Sequence, residues 1–521
     1  MLKASGAMAA ATMSSRLLGM VREMVYYSFM GTGWVNDAFQ YAFTIPNLFR
    51  RLLGEGALTA AFIPVFKQKE RLEGEAEMWR AANAVISGLI VSASVVIALV
   101  MIGITLALGL HAFSERTTLM LELLRVMFPY MLLVCLAAAM MGMLNARGHF
   151  FIPAMGATML NIVMIASVFW LAPHFGVGLP KDQRLPVQIF ALAYGVLAAG
   201  VAQAAFQMPT LWRDGFRYRW VPPWGDATVR RVVRQMIPGT IGVAAFQINV
   251  ALVQLVALHA GTGIVSSFNG AVRLMELPQG VFGISLATYL LPALSGLAAE
   301  KNYPEFRATL RHGLGTLLFM NAIACVLLVA LATPIVRLLF ERGAFSAVST
   351  ARVAYALQCL APGLVMFSTV NILARAFYAL GDTQTPMKIS LVCLVINFLG
   401  GSALIYLLRE GGPGIANTVT SALNAGLLFF ALRKKMGKLE LQPLRQTVPV
   451  IVVAALLTGL LAWAGWRLWD HYLGHANLAL KLGAVFVPAA IAGGLYWLVA
   501  LLRKVPAAEE MTEFALAKFK R

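Results

Sequence analysis

The sequence predicts an all-α polytopic membrane protein of about fourteen transmembrane helices, built as two pseudo-repeated six-helix lobes followed by two C-terminal helices. Three observations carry that expectation. Of 521 residues, 60% are hydrophobic and only 12% charged, with a mean hydropathy of +0.76, against about a quarter charged in a soluble globular domain. Apolar runs of about 20 residues, the length a helix needs to cross a hydrocarbon core of about 30 Å, recur along the whole chain. Short motifs also return at a near-constant offset. Gly31-Thr32-Gly33 reappears as Gly261-Thr262-Gly263, offset 230, and Ile45-Pro46-Asn47 as Leu277-Pro278-Gln279, offset 232. Leu144-Asn145-Ala146-Arg147-Gly148 before Pro153 corresponds to Phe377-Tyr378-Ala379-Leu380-Gly381 before Pro386, offset 233. A shared offset across six helices implies two halves of one topology, related by an axis along the membrane normal.

Taken in order, the first two spans run over about 4–30 and 34–52, the second continued by a helical extension from Gly56 to about Lys67. Spans near 80–109, 117–146, 153–173 and 187–212 complete the first lobe. A polar bridge over 213–226 follows, carrying Arg217, Arg219, tryptophans and Pro222-Pro223, a mixture that suits a segment lying along lipid headgroups. The second lobe takes spans near 229–259, 264–298, 308–340, 347–380, 386–408 and 413–432, and two more near 447–472 and 477–502 lie outside the repeat. The expected domains are therefore residues 1–225, 226–440 and 441–521.

The formal charge of +19 is distributed as short basic clusters between apolar runs, which fits loops held against anionic lipid and argues against nucleic acid. About twenty Lys and Arg fall in even-numbered loops against about six in odd-numbered ones, so both termini are expected in the cytoplasm. The small-residue run after Lys3 is too weakly apolar, and too soon followed by Arg16, for a cleaved signal peptide; it is read as the start of the first helix. Cys135, Cys325, Cys359 and Cys393 stand alone in apolar runs without disulfide or zinc spacing, and the seven histidines form no metal pattern. No phosphate-binding loop or nucleophile-base pair is visible, so neither cofactor nor ATP is expected. Short loops leave no room for a soluble catalytic domain.

The informative residues are charges inside apolar helices. A charged side chain at the bilayer centre costs about 2.5 to 3.5 kcal/mol on insertion scales, so such groups face protein or water. Arg16 and Arg22 fall near the middle of the first span, and at about 100° per residue Arg16 and Glu23 share a face. Arg50 and Arg51 close the second span, where snorkelling to the interface competes with a functional role for Arg50. Arg273 and Glu276 stand one turn apart just before Pro278 and Gly280, which would disturb the helix. Each Arg-Glu pair reads either as a structural ion pair or as part of a polar cavity. Guanidinium suits a phosphate ligand, because its planar fork donates bidentate hydrogen bonds and keeps its proton. Asp37 reads as an outer-gate carboxylate or a helix cap, and Glu55, between Gly54 and Gly56, as a hinge marker or a solvated loop residue. Arg375 and Asp382 belong to a helix end and loop.

SRLLGMVRE (15–23), NDAFQYAFTIPNLFRRLLGEGALTAAFIPVF (36–66), RLMELPQGVFGISLATYLLP (273–292) and RAFYALGDTQTP (375–386) resemble the MurJ (MviN) family of lipid II flippases, over essentially the whole chain. The resemblance implies a member of the multidrug/oligosaccharidyl-lipid/polysaccharide exporter superfamily: two six-helix lobes that carry lipid-linked peptidoglycan precursor across the bacterial plasma membrane, from inner to outer leaflet. It puts the substrate-cavity arginines at Arg16, Arg22, Arg50 and Arg273 and the outer-gate acid at Asp37; Glu23, Glu276, Asn47 and Glu55 are read beside them as gate or cavity support. Glu23 departs from the Asp expected in many relatives and keeps the charge. Lipid II and membrane lipids are the expected partners, cell-wall synthesis proteins a further class, and a monomer the expected working unit. On this reading the lobes rock about the diphosphate, the last two helices wall the polyprenyl tail, and a potential negative inside favours outward transfer at about 2.3 kcal/mol per charge per 100 mV. The coupling ion, if any, is not legible. The alternatives are a flippase for another lipid-linked glycan, a cation-coupled drug exporter, which needs intramembrane carboxylates, a membrane glycosyltransferase, which needs an acidic metal or base cluster, and a scaffold for cell-wall enzymes.

Overall fold

The computed structural model describes residues 2–52, 58–437, 439–440 and 442–519. Among these every regular element is helical. The chain divides into two compact units, residues 1–258 and 259–521. The first holds α1 (Leu2–Met30), α2 (Trp34–Phe49), α3 (Leu58–Glu73), α4 (Glu75–Leu110), α5 (Glu115–Met127), α6 (Tyr130–Ala146), α7 (Phe151–Ala166), α8 (Lys181–Arg213) and nearly all of α9 (Ala227–Ala260). The second holds α10 (Ile264–Pro278), α11 (Ser285–Ala299), α12 (Tyr303–Ala330), α13 (Ala332–Phe340), α14 (Ala347–Leu360) and α15 (Gly363–Ala379). It continues with α16 (Gln384–Leu408), α17 (Gly412–Met436), α18 (Gln442–Tyr472), α19 (Leu478–Leu502) and α20 (Pro506–Phe519). The boundary between the compact units thus falls a helix later than the expected repeat boundary at 225/226.

Eight helical stretches among the described residues are long and apolar enough to cross a membrane, and ten if two bent pairs each count as one span. One of the eight, 384–436, is the hairpin of α16 and α17, turned at Arg409, whose φ is 50°. Helices α1, α2 and α9 stay outside that set. Helix α2 is only 16 residues long, and residues Ala244–Ala260 of α9 form a shorter apolar helix. The extension beyond the second span runs to Glu73 rather than Lys67, prolonged by Lys67-Glu70 and Lys69-Glu73 pairs at helical spacing.

The repeat is written into local geometry as well as sequence. Helices α5 and α6 meet at a 41° bend and α14 and α15 at a 42° bend, with Pro129 and Pro362, 233 apart, at the joints. Proline has no N–H to give the preceding turn and its ring crowds that turn's carbonyl, so the helix bends there. After α6 and after α15 the same stop recurs. Gly148 and Gly381 take φ of 88° and 75°, and the next residues, His149 and Asp382, donate N–H to Leu144 O and Phe377 O, both at 2.9 Å. Each stop is then tied to the end of a neighbouring helix, with opposite polarity. His149 Nε2 lies 3.1 Å from Asp214 at the end of α8, and Lys435 in the last turn of α17 donates to Asp382 at 2.7 Å. The Lys435 ammonium and the Thr385 N–H lower the Asp382 pKa to about 2.

Small residues let the helices close up. A Cβ at Gly200 of α8 would fall 2.8 Å from Leu133 and Tyr130 of α6, and one at Gly414 of α17 would fall 3.0 Å from the backbone of Leu360. In the second unit α18 and α19 pack on each other and on α12, where Phe319 stacks on Tyr496 and the tyrosine hydroxyl donates to Phe319 O at 2.8 Å. Their other sides expose Leu456, Leu460, Phe486 and Ile491, as lipid-facing helices do.

Candidate functional site: guanidiniums inside apolar helices

In the first unit the polar centre lies where α1 packs on α7. Arg22 is 8% exposed. Its Nη2 donates to Glu23 Oε1 at 2.6 Å and its Nη1 to Asn161 Oδ1 of α7 at 3.1 Å, and its carbon centre stands 5.4 Å from the Tyr26 ring. Asn161 in turn donates Nδ2 to Ser15 O at 3.2 Å, so one amide clamps two successive turns of α1. Gly19 lies opposite that amide, where a side chain would stand in contact with it. Arg22 Nε is buried and finds no acceptor among the described residues. A donor on a fixed cation, left over after its neighbours are engaged, is ready for an anionic oxygen. Arg16, six residues earlier, is exposed.

Helix α2 begins after Gly33, which provides the first helical acceptor, to Asp37 N at 3.0 Å. Asp37 is therefore not the cap that one sequence reading allowed. It sits a turn inside the helix, fully buried, beside Asn36, which donates to Gly31 O at 2.5 Å and accepts from Gln40 at 2.9 Å. At the other end Arg50 donates Nε to Asn47 Oδ1 at 2.7 Å, where residues 50–52 loosen into a π-helical turn after Pro46. Glu55, with Gly54 and Gly56, lies outside the described residues. Two contacts that the sequence did not announce run along α9. Thr44 Oγ1 donates to Gln254 Oε1 at 3.0 Å and Arg51 Nη1 to Gln247 Oε1 at 3.5 Å. Those glutamines, both buried and seven residues apart, share one face of α9 within its mainly apolar C-terminal half, which is the signal that could have marked them.

In the second unit Arg273 of α10 donates Nη1 to Glu276 Oε2 at 2.9 Å. Unlike Arg22 it is half open, with side-chain exposures of 39% and 46% for the pair. Pro278 ends the helix two residues later and residues 279–284 continue as a π-helical stretch, as the proline and Gly280 led one to expect. Three of the four expected arginines are thus bonded to an expected supporting residue one to three positions away: Arg22 to Glu23, Arg50 to Asn47, Arg273 to Glu276. Among the described residues no group of His, Cys, Asp and Glu could hold a metal ion.

The model of the family described as lipid II flippase MurJ matches residues 27–482. This chain belongs to the MurJ lipid II flippase family. Among its relatives, a lipid II flippase MurJ of Burkholderia cenocepacia is 32% identical over 94% of this chain and 95% of its own length. A probable lipid II flippase MurJ of Rhizobium tropici is 33% identical over 94% and 92%. A solved lipid II flippase MurJ in an inward closed conformation superposes with a TM-score of 0.76 at 21% identity, covering 94% of this chain and 98% of that one. An inward-facing multidrug resistance MATE family transporter of the MOP superfamily shares the fold at a TM-score of 0.64 and 15% identity, over 84% of this chain and 99% of that one. The MurJ match begins at Tyr27, so the clamp of Arg22 by Asn161 is a feature read from this MurJ-family structure itself.

Proposed function

We propose that this chain is a transporter, not an enzyme, and moves lipid II from the cytoplasmic to the outer leaflet of the bacterial plasma membrane by alternating access. Membership of the MurJ family supports the cargo, and the MATE-like fold supports the alternating-access mode. The observation that carries the site is the Arg22 guanidinium, buried in an apolar helix with one N–H left over. Holding such a charge inside a membrane is costly, and an anionic ligand repays the cost.

On this reading Arg22 and Arg273 bind the diphosphate, Arg16 adds charge, and Arg50 guides entry. The two carboxylate neighbours divide the work. Arg22 is buried with Glu23 and Asn161 and keeps its orientation through the cycle, because breaking a buried pair leaves an uncompensated charge. The Arg273-Glu276 pair is open to solvent and worth about 0–1 kcal/mol, so a phosphate oxygen can replace Glu276 at little cost. Asp37, buried near the end of α2 that the loop charges assign to the outside, serves the outer gate. The polyprenyl tail follows the apolar sides of α18 and α19. The membrane potential contributes to outward movement of the anionic head, both termini lie in the cytoplasm, and the working unit is a monomer.

Native mass spectrometry of the purified protein, with lipid II, anionic phospholipid and a lipophilic cationic drug in competition, tests the cargo. Selective retention of lipid II, lost on Arg22→Glu, is the expected result. Preferential binding of the cation would identify a drug exporter instead, and equal retention of a different diphosphate-linked glycan would widen the cargo.

A further inference from the structure

The segment between α8 and α9, residues 214–226, is not helical, yet it is firmly built. It crosses the start of α4 as a strap. Phe216 is buried against Trp79, ring centroids 5.5 Å apart. Asn83 donates to Arg217 O at 3.0 Å, Ser87 Oγ lies 3.2 Å from the Tyr218 hydroxyl and accepts from Val221 N, and Pro223 rests on Gly88. Its acids are engaged: Asp214 faces His149, and Asp226 accepts from Thr228 N, Val229 N and Arg80. What the strap presents outward is therefore cationic and aromatic. Trp220 and Trp224 are 53% and 69% exposed, Trp212 stands exposed in the last turn of the membrane-spanning α8, and Arg213, Arg219, Arg230, Arg231 and Arg234 are all exposed.

We infer that this strap is a docking surface for the acidic headgroups of phospholipids in the leaflet it borders. Tryptophan rings settle at headgroup depth, where one edge meets acyl chains and the indole N–H meets water, and clustered arginines beside a span are drawn to anionic lipid. Continuity with α8 puts the strap at that depth, because it leaves directly from the end of a membrane span. The hydrogen bonds to α4 keep the tryptophans facing out rather than collapsing onto the protein, so binding there requires no further ordering of the backbone.

The test uses the full chain in bilayer nanodiscs with an environment-sensitive fluorophore on Trp220→Cys, corrected with mock-labelled wild type. Quenching by a headgroup-proximal nitroxide lipid is expected, stronger by about twofold or more when phosphatidylglycerol is added to phosphatidylcholine. The added quenching should vanish with Arg213→Gln/Arg219→Gln and persist with Arg213→Lys/Arg219→Lys, each eluting as the wild type does. Equal quenching in both bilayers would overturn the headgroup assignment. A probe that stays in water in both would also overturn it and leave the surface to a protein partner.

Discussion

Arg22 in α1 and Arg273 in α10 carry the same guanidinium in opposite surroundings. Arg22 is enclosed, bonded to a carboxylate on its own helix and to an amide on another, 139 residues away. Arg273 is half open, and the bond it shares with Glu276 stays within one turn of one helix. A charge fixed from two helices has a direction as well as a position. A charge in a half-open pair can change partner. In the proposed function the two arginines therefore take different roles, Arg22 as a fixed donor to a phosphate and Arg273 as an exchangeable one.

Removing each arginine in turn puts that contrast at greatest risk. Arg22→Ala should abolish lipid II flipping in cells and also destabilise the purified protein by about 3–5 kcal/mol, because it breaks the buried Arg22-Glu23 pair. Thermal unfolding in detergent reads the second effect. Arg273→Ala should impair flipping as severely while leaving unfolding within about 0.5 kcal/mol of wild type, as expected for an exposed pair. Equal destabilisation by both would dissolve the distinction. Asn161→Ala comes next. Loss of its amide leaves Arg22 Nη1 without its acceptor, at about 1–3 kcal/mol, and flipping should fall while Asn161→Gln recovers some of it.

Smaller effects refine the picture. Glu276→Gln should leave stability unchanged and bind lipid II as well as or better than wild type in native mass spectrometry, whereas Glu23→Gln should weaken both. The paired loops after α6 and α15 supply the smallest prediction. Because Asp382 is lowered from 3.8 to about 2, its bond to Lys435 stabilises the fold fully above the ordinary carboxylate range. That contribution is lost as pH falls from about 4 through about 2, where the carboxylate takes up its proton. Lys435→Ala should therefore lower the midpoint of unfolding at neutral pH and have progressively less effect on acidification.

Much of this is legible in the amino-acid string. Arginines interrupting apolar runs stand out because lipid tolerates so few charges, and this marks Arg16, Arg22, Arg50 and Arg273. The offset of 230 to 233 announces a repeat, and the matched bends at Pro129 and Pro362 express it in three dimensions. Other features are hidden for definite reasons. Asp37 resembles a cap because Asn-Asp before an apolar run is a common helix start, yet the helix begins earlier, at Trp34. Asn161 is one amide in an apolar span, with nothing nearby in sequence to say what it faces.

Residue order alone settles that this protein lives in a membrane, that its architecture repeats, and that its first helix carries charge no lipid would accept. Those conclusions need only composition, period and the energetic cost of a buried ion, all properties of a one-dimensional string. Which partner a charge has on another helix emerges only from the packing: Asn161 for Arg22, Gln247 for Arg51. The cause is geometric. Partners on different helices depend on the rotation at which those helices pack, and a shift of one residue turns a side chain by about 100°, from the neighbouring helix toward lipid.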